Sequence, residues 1–435
     1  MKTQVINLKH GGKVLFNRQK EIEGIDLQFI FNAGAFNDGK NKLGIAHFLE
    51  HAMCGFPNAK MTREQRDSYR RKFSYFNART SFREMAFIVR MTEEDFEDAV
   101  DFITESFSSI KLTQEEFDKE YKIIENEIKT RVKKNANELS VTVRTEIIKD
   151  EHFKNAITSP AGTETTLANI TLQDLVDFKN NYLTLNNLTV CVCGNISQKR
   201  VKNAMHKFVE TRIGSSSVQG FLPKEVNTIF APKFHYKKAV EEGKAIITCL
   251  YNLKHIPWSY EVPREFSIGD MLSMVLNEYA FKFFREQKNL CYSCSMGICS
   301  IANYFSNEFY LECQESCLDK VIECYKEFLD SLPKDIDRSM FEKHKRKRIL
   351  QYDFDFISIG RISDIMYSVY TGENKLYTTK YRKKLLEKRK GISYEEVNDL
   401  YKTIFNAKPH ITIVANDEKY KDFDYKSFAK LARKK

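Results

Sequence analysis

Two histidines and a glutamate lie close together in the segment GIAHFLEH, residues 44–51. The hydrophobic pattern predicts a helix from Gly44 to Met53, and residues i and i+4 of a helix share one face. His47 and His51 can therefore bind one cation, and Glu50 points to the same side. Histidine ligands with an open coordination position are typical of hydrolytic zinc sites. A chance occurrence of this pattern is the competing explanation.

A zinc site with two histidines needs a third protein ligand, which is usually a carboxylate from another element. Glu120 and Glu127 lie on a second predicted helix, over Gln114 to Thr130. They are seven residues apart, about two helical turns, so both carboxylates project from the same face. Glu127 is the best candidate for the third ligand. The alternative for both residues is an ordinary solvated helix face.

These motifs resemble those of the M16 peptidases, the inverzincin family of pitrilysin, insulin-degrading enzyme and the mitochondrial processing peptidase. In that family the spacing from the second histidine to the third ligand leads to Glu127. The resemblance implies one zinc ion per chain, bound by His47, His51 and Glu127. It also implies that Glu50 is the catalytic base and that Glu120 supports the site from outside the ligand set.

The resemblance extends beyond the metal motif. The sequence FNARTS is similar to a family strand that lines the substrate cleft, which implies that Asn77 and Ala78 bind substrate. The sequence REQKNLCYS is similar to an element whose Arg and Tyr hold substrate and polarise the scissile carbonyl. These roles are therefore implied for Arg285 and Tyr292. A helix-end charge and an ordinary strand tyrosine are the competing explanations.

The chain departs from the family pattern in three places. Asn289 replaces a glycine, and asparagine can also adopt the left-handed conformation that glycine often occupies. Residues 83–86 (REMA) replace the usual Glu-Thr and aromatic residue, so substrate preference cannot be transferred from relatives. The second half of the chain has no His-x-x-Glu-His motif, and we expect it to be a non-catalytic copy.

The wider pattern predicts an α+β protein with two similar halves. Alternating residues over Asp26–Ala33 predict a strand, and amphipathic helices and further strands follow it. Residues 213–225 are rich in Gly, Ser and Pro, which indicates a linker. It separates a zinc-binding domain, residues 1–212, from residues 226–435, which carry the Arg–Tyr pair. We expect each domain to be a mostly antiparallel sheet with helices packed on one face.

Composition limits the class of protein and its partners. The chain has 435 residues, 42% hydrophobic and 29% charged, which predicts a globular protein with more than one domain. Its net charge of +10 is modest for this size, and we expect no nucleic-acid partner. The pattern of the basic run Lys343–Arg348 favours a solvated helix face. Neither a secretion signal nor a membrane span is recognisable, so we expect a cytoplasmic protein that does not bind membranes. The ten cysteines lie in strand-like or helical patterns, which favours buried thiols over a second metal or iron–sulfur site.

The function that we expect is that of a zinc-dependent endopeptidase. It would hydrolyse short or unfolded peptides inside a chamber enclosed by a dimer. A homodimer is expected, because one chain carries both the metal motif and the Arg–Tyr pair; a heterodimer with a related chain is the alternative. A non-proteolytic binding or scaffold subunit of the same fold is the alternative from a different class. A peptidase that is active only with a different partner subunit is the third hypothesis.

Overall fold

The computed structural model of the protein describes residues 2–55, 61–108, 112–149, 151, 153–154, 159–210, 216–220, 232–256, 261–301, 304–355 and 357–431. The strands are β1 Gln4–Asn7, β2 Lys13–Arg18, β3 Ile25–Phe31, β4 Tyr75–Thr80, β5 Met85–Met91, β6 Leu188–Gly194, β7 Phe234–Lys238, β8 Lys244–His255, β9 Ser293–Ile301, β10 Tyr304–Gln314 and β11 His410–Ala415. The described α-helices are α1 Ile45–Gly55, α2 Arg63–Lys72, α3 Phe96–Ser108, α4 Gln114–Val132, α5 Asn135–Ile147, α6 Glu164–Leu167, α7 Leu172–Tyr182, α8 Gln198–Glu210, α9 Arg264–Ala280, α10 Leu318–Ser331, α11 Arg338–Asp355, α12 Ile359–Glu373, α13 Thr379–Lys390, α14 Tyr394–Ile404 and α15 Tyr425–Leu431.

The chain forms two compact units. The first consists of Met1–Lys129, Asn155–Lys224 and Phe354–Arg382, and the second consists of Thr130–Lys154, Glu225–Asp353 and Lys383–Lys435. The predicted boundary at residues 213–225 would place residues 130–154 in the first domain and residues 354–382 in the second. In the structure, residues 130–154 belong to the second unit and residues 354–382 to the first. Of the predicted linker, residues 213–215 and 221–225 lie outside the described residues. The domain boundaries therefore stay a prediction.

The sheets of the two units have the same topology. The first sheet has the order β1-β2-β6-β3-β5-β4, and the second has the order β7-β11-β8-β10-β9. Each sheet has one parallel pair, which is β2 with β6 in the first sheet and β7 with β11 in the second. All other neighbouring strands are antiparallel. When β1 is left out, the remaining five strands of the first sheet have the same spatial order, relative to their order along the chain, as the five strands of the second sheet. The predicted fold class, two similar α+β domains with mostly antiparallel sheets, is confirmed.

Helices cover both faces of each sheet, so the expectation of helices on one face only was wrong. Strand β3 is buried at all seven positions, and successive side chains of a strand point to opposite faces. Alternate β3 residues, such as Phe29, join the hydrophobic core of the first unit with residues of α1 and α3, and α12 contacts β3 and β6. In the second unit, α9 contacts β9 and β10, and α5 contacts β7, β8 and β11. Each unit thus receives one covering helix from the other half of the sequence, which explains why the units are not continuous.

Candidate metal centre

The two motif histidines lie on α1 and meet a carboxylate from α4. The His47 and His51 rings, one helical turn apart, have centroids separated by 4.6 Å. Glu127 Oε2 lies 3.9 Å from His47 Nε2 and 3.7 Å from His51 Nε2. Within the described part of the chain, this is the one group of three or more His, Cys, Asp or Glu whose ligand atoms all lie within 4.8 Å of one another.

This group fits a zinc ion in both chemistry and size. Two imidazoles and one carboxylate form a donor set that catalytic zinc sites use, with zinc–ligand bonds of about 2.0–2.2 Å. Tetrahedral ligands at that bond length are about 3.3–3.6 Å apart. The two distances from Glu127 to the histidines exceed this by a few tenths of an ångström, which small side-chain rotations can remove. The side chain of Glu127 is 50% exposed, so it has room for that adjustment.

Glu120 forms a hydrogen bond with Nδ1 of His51, the ring nitrogen that does not face Glu127. Its Oε1 lies 2.7 Å from His51 Nδ1, and because a carboxylate only accepts hydrogen bonds, Nδ1 carries the proton. In the neutral ring, His51 Nε2 is therefore the unprotonated nitrogen that can bind a metal. Burial lowers the pKa of His51, but the hydrogen bond to Glu120 and the charges of Glu127, Glu120 and Glu50 outweigh it, and the pKa is raised.

Glu50 lies on α1 beside the triad and is fixed by β4. Thr80 Oγ1 donates a hydrogen bond of 2.6 Å to Glu50 Oε2. Burial raises the pKa of Glu50, although the hydrogen bond from Thr80 and the charge of His51 act in the opposite direction. A carboxyl group with a raised pKa is suited to both accepting and returning a proton near neutral pH. The sequence pattern assigned no role to Thr80, although Thr80 belongs to the FNARTS motif that resembles the family strand.

Two buried polar side chains, Asp38 and Arg66, form hydrogen bonds with the two ends of α1. At the N-terminus, Asp38 accepts hydrogen bonds from the backbone N–H groups of Gly44, at 2.7 Å, and Ala46, at 3.1 Å. At the other end, Arg66 donates to the carbonyl oxygen of Met53 at 2.9 Å. The Arg66 cation at the C-terminus complements the helix dipole. Burial raises the pKa of Asp38 to about 8, although the two backbone hydrogen bonds act in the opposite direction, so Asp38 contributes by satisfying N–H groups at the start of the helix. Sequence reasoning missed both residues, because their partners lie in other elements.

The residues predicted to bind substrate lie on an edge strand. Among the residues that the structure describes, strand β4 pairs with β5 alone and ends the first sheet. Asn77 is exposed and accepts a hydrogen bond from the backbone N–H of Ala78, and Ala78 is half-buried. Both residues line a cleft of about 380 Å³, together with Glu50, His51 and Glu127. An extended peptide can pair with an unpaired sheet edge of this kind.

Arg285 and Tyr292 lie together in the second unit. Arg285 belongs to a π-helical turn, Phe281–Gln287, that continues α9. It donates a hydrogen bond to the Tyr292 carbonyl oxygen, and its guanidinium lies 5.0 Å from the centre of the Tyr292 ring. The Tyr292 side chain is 82% exposed. Asn289 has φ 51°, the left-handed region that asparagine can adopt in place of glycine.

The repeated sheet topology and the His–His–Glu group define a protein with two similar α+β units and one candidate metal centre. The model of the insulinase family (peptidase family M16) matches residues 13–161, and the model of the peptidase M16 inactive domain matches residues 169–348. The chain therefore belongs to peptidase family M16, as its motifs predicted. Residues 13–161 contain His47, His51 and Glu127, and residues 169–348 contain Arg285 and Tyr292.

Proteins named as zinc proteases are among the relatives. An uncharacterized zinc protease, YmxG of Bacillus subtilis, is 24% identical over 289 residues, which cover 66% of this chain and 67% of YmxG. The zinc protease PqqE of Helicobacter pylori is 22% identical over 296 residues, covering 64% of this chain and 61% of PqqE. Two Rickettsia relatives are matched over only 52% and 51% of their own length.

Solved structures share the fold over nearly the whole chain. A protease from Helicobacter pylori aligns with a TM-score of 0.75 and 16% identity over 96% of this chain and 99% of its own. The periplasmic protease PqqL of Escherichia coli aligns with a TM-score of 0.76 and 14% identity over 100% of this chain and 50% of PqqL. In the described part of this chain, no helix has the length and apolar composition that a membrane span requires.

Proposed function

We propose that this chain is a zinc-dependent endopeptidase that acts on short or unfolded peptides. The observation that carries the proposal is the convergence of His47, His51 and Glu127, with Glu50 and the free edge of β4 beside them. This arrangement contains what metal-assisted peptide hydrolysis needs: a ligand set, a general base and a place for an extended substrate. The names of the relatives support the same class of activity.

His47, His51 and Glu127 would hold one zinc ion. When bound, zinc supplies a Lewis acid that polarises the scissile carbonyl and lowers the pKa of the attacking water to about 7. Glu50 accepts the proton of that water and returns it to the leaving amine. Thr80 orients the Glu50 carboxylate, and its hydrogen bond leaves Oε1 for the proton transfer.

The substrate is proposed to bind as an extra strand along β4. Asn77 and Ala78 line the cleft at this edge. We also propose, as the resemblance implies, that Arg285 and Tyr292 hold the substrate and polarise its carbonyl. Their mutual contact supports a joint role, and the exposure of Tyr292 leaves its hydroxyl available for a ligand.

The active form is proposed to be a homodimer that encloses a chamber. This chain aligns with 50% of the longer PqqL chain, so two copies would supply the number of domains that PqqL has in one chain. A heterodimer with a related chain is the alternative. The cytoplasmic location stays a prediction.

The proposal is tested by replacing Glu50 with glutamine, which keeps the shape of the side chain but cannot accept a proton. We expect Glu50→Gln to retain zinc and to cleave unstructured peptides about 10²–10⁴-fold more slowly than wild type. Zinc content by mass spectrometry and peptide cleavage are measured on the same samples, with the exposed Glu64→Gln as control. Near-normal cleavage by Glu50→Gln with normal zinc content would remove Glu50 from the mechanism. A wild-type chain that binds zinc but cleaves no peptide would favour the binding or scaffold alternative, or the need for a second subunit.

A further inference from the structure

The cleft beside the metal triad has a cationic wall. Arg70, on α2, lines it together with Phe76, Asn77 and Glu50. Arg70 is exposed, and its guanidinium lies 5.0 Å from the centre of the Phe76 ring, a cation–π distance. Because the planar guanidinium lies over a ring in the cleft wall, its charge is held beside the space that a substrate must occupy.

Arg70 differs from the neighbouring cations of the same helix. Arg66 is buried and donates to the carbonyl oxygens of Met53 and Cys54, and Lys72 forms an ion pair with Asp98. Arg70 has no carboxylate within 4.0 Å among the residues that the structure describes. Its donors are therefore available to a ligand.

The carboxylates of the cleft have other partners. Glu120 binds His51, Glu50 accepts from Thr80, and Glu127 faces the two histidines. Each of these contacts is part of the proposed catalytic arrangement. Arg70 is therefore the positive group in the cleft wall that this arrangement does not use.

We propose that Arg70 is a specificity-determining residue, which selects peptides with an Asp or Glu side chain next to the scissile bond. The inference rests on the proposed peptidase function. A peptide bound along β4 places a side chain near Asn77 in the cleft that Arg70 lines. A guanidinium binds a carboxylate through two parallel hydrogen bonds, which an uncharged amide of the same shape cannot match.

The test uses a mixture of unstructured peptides with randomised sequences, and the cleavage sites are identified by mass spectrometry. Wild type, Arg70→Gln and Arg71→Gln are compared; Arg71 is exposed on the same helix but does not line the cleft. For wild type and Arg71→Gln, we expect Asp and Glu to be enriched at one position flanking the cut, and Arg70→Gln to lose this enrichment. Matched peptides with Glu or Gln at that position give the ratio of kcat/KM.

We expect the Glu-to-Gln ratio of kcat/KM to fall about threefold to thirtyfold in Arg70→Gln, the range for a partly exposed charged hydrogen bond. Cleavage of the Gln peptide should change less than twofold, because that peptide does not use the charge. An unchanged ratio, or equal loss for both peptides, would overturn the specificity role while leaving the peptidase proposal intact. A wild-type chain that cleaves no peptide at all would overturn both.

Discussion

Replacement of Glu120 by glutamine tests how far a residue outside the ligand set controls zinc affinity. The Glu120 side chain is 8% exposed and its Oε1 lies 2.7 Å from His51 Nδ1. The glutamine oxygen can still accept this hydrogen bond, but the negative charge that makes the His51 ring a stronger ligand is lost. The expected result is weaker zinc binding with the fold preserved.

The magnitude follows from this contact. A hydrogen bond to a buried charged group contributes about 1.5–3 kcal/mol, and its neutral counterpart contributes about 0.5–1.5 kcal/mol. The difference corresponds to roughly a tenfold loss of zinc affinity, at the lower end of the 10–100-fold range typical of such partners. Burying an amide instead of a carboxylate costs less desolvation, so the apo protein should not be destabilised.

The assay is a competition between the protein and a chromophoric chelator for zinc, with the thermal midpoint of the apo protein measured in parallel. Glu125→Gln is the matched control, because Glu125 lies on the same helix and pairs with Lys129 at 2.9 Å. A zinc Kd for Glu120→Gln within twofold of wild type would refute the reasoning. An equal loss in Glu125→Gln would show that the helix charge matters and not the contact with His51.

Two further predictions concern the support of α1 and the assembly. Asp38→Asn places an NH2 group against a backbone N–H at the start of α1, and we expect it to lower the free energy of unfolding by about 1–3 kcal/mol and to weaken zinc binding. Denaturant unfolding and the same chelator competition check this, and wild-type values in both would exclude Asp38 as the anchor of the helix. Native mass spectrometry should give a dimer of the 51.0 kDa chain at assay concentration. A monomer with full activity would contradict the proposed chamber.

The part of the fold that could be predicted depends on short-range patterns. The helix predicted from Gly44 to Met53 is α1, Ile45–Gly55, and the helix predicted over Gln114 to Thr130 is α4, Gln114–Val132. Strand β2 was missed, because four of its six residues are buried in succession and no alternation marks it. Its neighbours in the sheet, β1 and β6, come from different parts of the sequence.

In the candidate site, too, the part that depends on short-range spacing was predictable and the part that depends on tertiary packing was not. The spacing of His47 and His51 within one helix indicated that they share a face, and the structure brings Glu127 to them. The support of the site was not predictable in this way. Thr80 reaches Glu50 across 30 residues of sequence, and Arg66 reaches the end of α1 from another helix. Such partners are defined by tertiary packing, which a single sequence does not display.

The central claim is that His47, His51 and Glu127 bind one zinc ion. X-ray diffraction at the zinc absorption edge, on crystals of the chain grown with zinc, tests it most directly. The account predicts one strong anomalous peak per chain, about 2.0–2.2 Å from a nitrogen of each histidine and an oxygen of Glu127. A zinc-saturated crystal with no peak between these three side chains, or with its peak at other ligands, would contradict it.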